Sequence, residues 1–233
     1  MYHRLSLIVM TSLLITLSGC SDAPEQPLTA NDQDSVVIMD MTEPVQIDPP
    51  AKGWYHRIFW FIKPMQLDFM KKEGVAALRC KTSDSGSIFG RFTDLDLETY
   101  PRLTWRWFVE TPIASTFDER TKAGDDHPAR LFMEFSDKDG GSYFAEIIWS
   151  NGAFKSGDYK YIDDFPHFVA RGGEANVGHW IHEEVDLLEI YRHISKRNDR
   201  PQLRQIAIFC DTDDTGGRSV AYFGTISLSK RTP

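Results

Sequence analysis

The chain has 233 residues, of which 41% are hydrophobic and 12% aromatic, which is enough for one good core and argues against more than one large domain. Its formal net charge of −8 at pH 7 argues against a nucleic-acid partner, because phosphate backbones are bound by basic surfaces. The same acidic surface argues against non-specific adhesion to anionic lipid.

The N-terminus has the pattern of a targeting segment. Arg4 supplies a positive charge, and the apolar run from Leu5 to Leu17 is too short to span a membrane comfortably as a permanent helix. The run ends in Leu17-Ser18-Gly19-Cys20, which resembles the lipobox of bacterial lipoproteins. That resemblance implies a signal peptide over residues 1–19, cleavage before Cys20, and acylation of Cys20, with palmitate among the acyl chains. The alternative is an ordinary signal peptide followed by a chance cysteine.

By analogy with enterobacterial sorting, Ser21 rather than an aspartate after the cysteine indicates delivery to the outer membrane, facing the periplasm. Residues 20–50 are polar and proline-bearing, which is typical of a flexible tether between the lipid and a folded domain. We therefore expect the protein to be located in the cell envelope and attached there by an N-terminal lipid.

Residues 51–64 form an aromatic lead-in to the domain. A short amphipathic helix would place its apolar residues on one side, namely Trp54, Ile58, Phe61 and Ile62. One interpretation is that this segment docks on the domain and closes its core. The other is that it forms a patch for a membrane surface or a protein partner.

Strand signals recur at short intervals over residues 65–230, separated by glycine- and aspartate-bearing turns. The predicted strands are Met65–Met70, Val75–Thr82, Ser87–Leu97, Leu103–Glu110, Arg130–Ser136, Ser142–Trp149, Tyr159–Phe165, His167–Arg171, Trp180–Val185, Leu203–Cys210 and Ser219–Leu228. One short helix is predicted after Asp186 as N-cap, with an apolar stripe made of Leu187, Leu188, Tyr191 and Ile194. Many short strands with a single helix predict an all-β, single-domain β-sandwich, most simply a jelly roll.

Two cysteines remain in the domain, Cys80 and Cys210. An oxidising periplasm permits a disulfide between them. Both lie in apolar strand contexts, however, where a free cysteine also serves as a small buried hydrophobe.

Four stretches resemble a known bacterial family, domain-of-unknown-function family 3047. They are Pro101-Arg102-Leu103-Thr104-Trp105-Arg106-Trp107, Gly124-Asp125-Asp126-His127-Pro128-Ala129-Arg130, Asp211-Thr212-Asp213 and Ala221-Tyr222-Phe223-Gly224. The resemblance covers about residues 65–229 and implies an exported β-sandwich similar to carbohydrate-binding jelly rolls, without an established activity. The chain departs from the family pattern at three positions, with Asp214 in place of asparagine, Tyr222 in place of tryptophan and Thr225 in place of aspartate.

The acidic turn after the Leu203–Cys210 strand is a candidate calcium site. Asp211 and Asp213 match the first positions of an EF-hand loop, but position 12 falls on Tyr222 instead of a bidentate glutamate, so the turn is not an EF-hand. Asp214 adds a third acidic side chain. Against calcium stands the ordinary use of aspartates, which cap turn N–H groups. No other metal or cofactor is predicted.

The second group of candidate residues surrounds the Arg130–Ser136 strand. Arginines and carboxylates on a sheet face must pair or meet solvent, because unpaired burial costs several kcal/mol. One interpretation is a buried Asp–Arg lattice that joins strand ends to the acidic turn. The other is a polar groove that recognises sugar hydroxyls or a carboxylate, with the candidate ligand-binding residues Arg106, Asp125, Asp126, Arg130, Glu134, Trp149, Asp211 and Asp213.

These observations favour a non-catalytic, lipid-anchored envelope protein that binds a glycan or glycan-like ligand. A structural or assembly lipoprotein that binds another envelope protein through the aromatic residues 54–62 is the first alternative. The second is a polysaccharide hydrolase or lyase that uses carboxylates near Asp126 and Asp213, although no spacing selects a pair. His179 and His182 lie three apart on a predicted strand and point to opposite faces, which makes them poor joint zinc ligands.

Overall fold

The computed structural model describes residues 26–231, which form two β-sheets packed face to face. The predicted signal peptide and the lipidation site Cys20 lie outside the described residues. Sheet 1 contains β1 (Leu28–Thr29), β3 (Trp54–Ile58), β6 (Gly86–Asp96), β8 (Arg130–Ser136), β9 (Ser142–Ser150), β10 (Tyr159–Ile162), β11 (Phe165–Gly172) and β13 (Gln202–Asp211). Sheet 2 contains β2 (Ser35–Met39), β4 (Gln66–Lys72), β5 (Val75–Ser83), β7 (Arg102–Thr111), β12 (Ile181–Asp186), β14 (Arg218–Phe223) and β15 (Ile226–Ser229). The one α-helix of the described chain, α1, spans Leu187–Ser195.

Sheet 1 has the strand order β1-β6-β13-β8-β9-β11-β10. Strand β3 pairs with β6 over Ser87–Arg91, while β1 pairs with β6 at Thr93 and Asp94. Because β13 occupies the other side of β6 along both stretches, β1 and β3 lie in line along one edge of the sheet. The opposite edge is formed by β10 and β11.

Sheet 2 is built around β7. Trp107 pairs with Phe223 of β14 on one side and with Ile181 of β12 on the other. Strands β14 and β15 lead on to β5 and β2. Strand β12 is therefore an edge of sheet 2.

The core lies between the sheets and is rich in aromatic side chains. Alternation along β7 places Leu103, Trp105, Trp107 and Val109 inside. The rings of Trp105 and Trp107 meet at right angles, with centroids 5.2 Å apart. On β13 an irregularity between Leu203 and Gln205 shifts the alternation by one residue, so that the inward residues there are Leu203, Ile206, Ile208 and Cys210.

The predicted all-β sandwich with one helix is confirmed, and most strand bounds agree to within two residues. Asp186 caps the helix as expected, since its Oδ1 accepts the Glu189 N–H at 3.1 Å. Two predicted strands, Tyr159–Phe165 and Ser219–Leu228, are each divided in the structure. Asp163 and Asp164, both at positive φ, form a turn after β10. The Ser219–Leu228 run breaks at Gly224. A Cβ added to Gly224 would lie only 2.6 Å from the Cγ of Arg106.

The prediction that residues 20–50 are a flexible tether is wrong from Leu28 onward, where β1 already pairs with β6. Strand β2 pairs with β15, and Val36, Ile38 and Met39 are buried in the core. The apolar run that begins at Val36 pairs with β15 of sheet 2. Burial of its side chains stabilises this strand although the surrounding residues are polar and include prolines.

The lead-in segment is also not helical. Residues 54–58 form β3, because the free edge of β6 offers backbone hydrogen bonds that a short isolated helix cannot match. Trp54 stacks on Phe89 with centroids 5.3 Å apart, so the first part of the segment does dock on the domain.

Cys80 of β5 and Cys210 of β13 form a disulfide that joins the two sheets, with Cα atoms 6.6 Å apart. The bridge spans 130 residues of sequence, and a closed loop of that length restricts the unfolded chain by roughly 2–5 kcal/mol. No helix within residues 26–231 is long and apolar enough to cross a membrane. All described strands, the helix and the core lie between Leu28 and Ser229, so a chain of residues 26–231 contains the complete described fold.

Candidate functional site

The sequence-predicted site residues fall into separate places instead of one groove. Asp125, Asp126, Arg130, Asp211 and Asp213 come together at one end of sheet 1, in contact with the acidic turn. Glu134 lies further along β8 on the outer face of sheet 1. Arg106 belongs to sheet 2 and lies on its outer face.

Trp149 cannot line an accessible groove. Its side chain is 1% exposed and packs against Trp107 between the sheets, with ring centroids 5.7 Å apart. The prediction of a single groove containing Trp149 together with Arg106 and Arg130 is therefore wrong. On β9 the alternation of side chains places Trp149 between the sheets and its neighbour Ile148 on the outer face, where Ile148 is also buried.

Arg130 is the centre of a buried ion-pair network. Its Nη1 donates to Glu146 Oε2 at 2.8 Å, and its Nη2 donates to both Asp211 oxygens, at 2.5 and 2.7 Å, and to the Asp125 carbonyl. The Phe209 ring lies 4.6 Å from the guanidinium carbon. Burial raises the pKa of the Asp211 carboxyl well above its usual range, and the Arg130 charge acts against that shift. Because both carboxyl oxygens accept from the guanidinium, we assign the pair as charged.

The network extends to His127 and Lys160, which the sequence reasoning missed. Lys160 Nζ contacts the Asp125 carboxylate and lies 2.9 Å from His127 Nε2. The other ring nitrogen, Nδ1, lies 3.1 Å from the Trp149 carbonyl, so we assign the proton to Nδ1 and the acceptor role to Nε2. Burial, together with the nearby Arg130 and Lys160 charges, lowers the pKa of His127 to about 3. His127 was detectable only as a histidine within the Gly124–Arg130 motif.

Glu146 is the carboxylate partner of Arg130 on β9. Burial acts to raise its pKa, but the Arg130 charge and the contact with His167, 3.4 Å away, outweigh that effect and hold it at about 2. A mostly buried network in which Arg130 and Lys160 are both paired with carboxylates is a structural device. It corresponds to the lattice interpretation of these residues.

Asp126 secures the acidic turn from the opposite side. Its Oδ2 accepts the Thr215 N–H at 2.7 Å and the Thr215 hydroxyl at 2.5 Å, and its Oδ1 lies 3.4 Å from the Asp214 nitrogen. Asp126, Asp211 and Asp213 each bring a carboxylate oxygen within 4.8 Å of the others. Asp214, the third predicted calcium ligand, is exposed and does not belong to this cluster.

The hydrogen bonds of this cluster fit turn capping better than cation binding. Asp211 is engaged by Arg130 and Asp126 by the turn, whereas calcium takes six to eight oxygens. Asp213 has no ion-pair partner among the described residues, and burial and the Asp126 charge raise its pKa. The structure therefore ties Asp211, but not Asp213, to Arg130.

We expect Asp211→Asn to destabilise the protein by roughly 3–5 kcal/mol, because it removes a carboxylate from a buried guanidinium. Asp213→Asn is the matched control and should change the unfolding free energy by less than about 1 kcal/mol. Urea denaturation of both variants, each with chelator and with millimolar calcium, measures the difference. A calcium-dependent stabilisation of the wild type that Asp213→Asn abolishes would instead identify the turn as a metal site.

The network also predicts a loss of stability in acid. The pKa of His127 is 6.5 in the unfolded chain and about 3 in the folded protein. Its contribution to the free energy of unfolding is therefore complete above pH 6.5 and is lost as the pH falls. The contribution of Glu146 follows between pH 4.5 and about 2. Between pH 6.5 and about 5 we expect His127 to account for a loss of roughly 1.5 kcal/mol.

Urea midpoints measured across this range check the prediction. His127→Gln should flatten the dependence of the urea midpoint on pH above about pH 5. His179→Gln, at an exposed histidine, should leave that dependence unchanged. A wild-type slope that persists in His127→Gln would assign the acid sensitivity to another group.

The outer face of sheet 1 carries an apolar cluster of Ile88, Phe132 and Ala207, with Tyr55 and Phe209 packed against it. Glu134 lies beside this cluster and is engaged by Ser142 Oγ at 2.9 Å and by the Gln205 amide nitrogen. Burial and the Glu134 charge raise the pKa of the Tyr55 hydroxyl, which has no hydrogen-bond partner among the described residues.

The outer face of sheet 2 holds an open pocket of about 360 Å³ around Arg106. Arg106 pairs in register with His182 of β12, and the Trp180 ring lies 5.9 Å from the guanidinium carbon. The pocket is lined by Thr104, Trp105, Arg106, Trp180, His182 and Thr225. Its lining therefore combines one cation, an indole, an imidazole and hydroxyls, without a carboxylate.

Two features of the closing motif shape this pocket. Gly224 leaves room for the Arg106 side chain to cross the break between β14 and β15. Thr225 lines the pocket at the position where an aspartate was expected, and its hydroxyl accepts the Met41 N–H at 3.3 Å. Among residues 26–231 Arg106 has no ion pair with a carboxylate.

The fold and these sites define a disulfide-bridged, jelly-roll β-sandwich with a buried charge network at one end and an open cationic pocket on one outer face. Residues 52–227 match the family described as protein of unknown function, DUF3047, and the chain belongs to it. The resemblance seen in the sequence is thus confirmed.

Three solved structures illustrate the overall similarity of shape. A family 12 xyloglucanase from Bacillus licheniformis covers 90% of this chain and 98% of its own, at 8% identity and a TM-score of 0.40. An endoglucanase from Rhodothermus marinus covers 77% and 93%, at 11% identity and a TM-score of 0.41. A xylan-binding domain from Paenibacillus barcinonensis covers 85% and 94%, at 11% identity and a TM-score of 0.32. No curated protein sequence matches the chain, and we transfer no residue role from these structures.

Proposed function

We propose that the protein is a non-catalytic, lipid-anchored protein of the bacterial cell envelope that binds a glycan in the Arg106 pocket. The observation that carries the proposal is an accessible arginine without a carboxylate partner, placed beside an indole ring in a pocket of about 360 Å³. Pockets of that size are typical of small-molecule sites.

The lining suits a sugar in three respects. The partly exposed ring of Trp180 offers an apolar face for the C–H groups of a pyranose. His182 and the threonine hydroxyls supply hydrogen-bonding groups for sugar hydroxyls. Arg106 supplies a fork of N–H donors that pairs well with a carboxylate, which favours an acidic sugar such as a uronate.

The absence of a carboxylate from the pocket lining supports binding over hydrolysis at this place, because glycosidases act through a pair of carboxyl groups. The carboxylates of the hydrolase alternative, near Asp126 and Asp213, lie in the acidic-turn cluster, where Asp126 is wholly buried. They lie in loops outside the strands, and neither lines the pocket.

We expect a chain of residues 26–231 to bind uronate-containing polysaccharides more tightly than neutral ones. Arg106→Gln should weaken binding by at least about tenfold, since a charged hydrogen-bonding partner contributes about 1.5–3 kcal/mol. Thr225→Asp should have a similar effect, because it places a competing carboxylate beside Arg106. Calorimetric titration with acidic and neutral oligosaccharides measures both.

Thr225→Ser keeps the hydroxyl and should bind like the wild type. Arg204→Gln removes a partly exposed, ion-paired arginine of sheet 1 as a charge control. Melting temperatures close to that of the wild type show that the variants are folded. Undiminished binding by Arg106→Gln would refute the pocket assignment.

The lipid anchor in this proposal is supported by the Leu17–Cys20 motif alone. We expect labelled palmitate to be incorporated into the full chain and to be lost in Cys20→Ser, because acylation needs the thiol. Fractionation of the envelope should then find less of the unlabelled variant than of the wild type in the outer membrane. Equal labelling of the variant would exclude Cys20 as the acylated residue.

A further inference from the structure

The turn that follows β3 exposes two adjacent aromatic side chains. Trp60 is 87% exposed and Phe61 102% exposed, the largest values among the large hydrophobic residues that the structure describes. Ile58, just before them, is also exposed. Isolated exposed hydrophobic residues are ordinary, but three in one short stretch mark an interaction surface.

The turn is firmly held, so this exposure does not result from a loose loop. Phe59 packs on Phe209 of the outer face, with ring centroids 6.1 Å apart. The Ile62 N–H donates to the Phe59 carbonyl at 3.3 Å and closes the turn. On its other side the Gly86 N–H donates to the Lys63 carbonyl at 2.9 Å.

The backbone of the turn is itself unusual. Phe61 has a φ of 67°, in the left-handed region that bulky residues rarely adopt. Such conformations persist where the surrounding contacts enforce them and are concentrated at functional positions. Here the conformation presents both rings to solvent.

We infer that the Trp60–Phe61 turn inserts into the interfacial region of a lipid bilayer. Tryptophan and phenylalanine are suited to the boundary between head groups and acyl chains. Arg57 and Lys63 flank the turn and place cations where lipid phosphates lie. Because the whole chain carries a net charge of −8, the contact depends on apolar insertion more than on charge.

The position of the turn is compatible with attachment to the same membrane by the N-terminal lipid. This one step of the inference rests on the proposed function. Ile58 pairs with Ser87, and the first described strand pairs with Thr93 on the same edge of β6. These points are about 20 Å apart, at about 3.3 Å per residue. The eight residues from Cys20 to Pro27 reach at most about 28 Å, so an acylated Cys20 and the turn can contact one membrane surface.

Vesicle binding by the unlipidated chain of residues 26–231 tests the inference without reference to the anchor or the glycan. Vesicles of phosphatidylethanolamine and phosphatidylglycerol should bind the wild type in sedimentation. Trp60→Ala/Phe61→Ala should reduce the partition coefficient by at least about tenfold. Phe117→Ala removes a 53% exposed aromatic elsewhere and should leave it unchanged.

Arg57→Gln/Lys63→Gln should weaken binding to the anionic vesicles by a smaller factor and should not affect phosphatidylcholine vesicles. Arg106→Gln should bind vesicles like the wild type, which separates this result from the outcome of the glycan experiment. Equal partitioning of Trp60→Ala/Phe61→Ala and wild type would overturn the inference. So would a wild type that fails to bind vesicles but dimerises through these two residues, since the surface would then be a protein interface.

Discussion

The buried guanidinium of Arg130 is the constraint on which the end of the sandwich depends. A cation that is 2% exposed must be neutralised within the protein, because its desolvation is otherwise too costly. Its partners come from the loop before β8, from β9 and from the end of β13. One side chain thereby fixes three neighbouring strands and the start of the acidic turn. The turn is held a second time by Asp126, which makes the acidic stretch part of the scaffold.

This use of the charges explains why a motif rich in carboxylates and arginine does not form a groove. Asp125, Glu146 and Asp211 are occupied by Arg130, Lys160 and His167, and only Asp125 among these carboxylates is partly exposed. A ligand would have to displace interactions that are stronger in the interior than in water. The open cationic position is Arg106, where the strand break at Gly224 makes room and Thr225 supplies no charge.

Much of the fold could be predicted from local pattern. Alternation along β7 and β13 and the cap at Asp186 depend on residues a few positions apart, and the structure agrees with them. Trp54–Ile58 has a helical pattern but forms a strand, because a distant partner, the edge of β6, was invisible in the sequence. The buried run at Val36 was likewise assigned to a tether, since its partner β15 lies almost two hundred residues away.

The sites were harder to predict because they depend on which face and which sheet a strand occupies. Arg106 and Arg130 are each flanked by apolar residues in the sequence, yet one is exposed on sheet 2 and the other is buried at sheet 1. Trp149 would lie on the outer face of sheet 1 if the alternation of side chains along β9 were shifted by one residue. His127 and Lys160 are far apart in the chain and meet through the pairing of β10 with β11 and of β11 with β9.

The two functional surfaces that we propose lie on opposite edges of the sandwich. Strand β3 and its aromatic turn follow the β6 edge of sheet 1, where β2 of sheet 2 is also close. The Arg106 pocket lies at the β12 edge of sheet 2, which is tied to β11 by the Arg171–Glu183 ion pair, and β11 belongs to the far side of sheet 1. A bilayer in contact with Trp60 and Phe61 would therefore lie along the edge opposite β12 and its pocket. That orientation allows a long polysaccharide to reach Arg106 while the protein stays on the membrane.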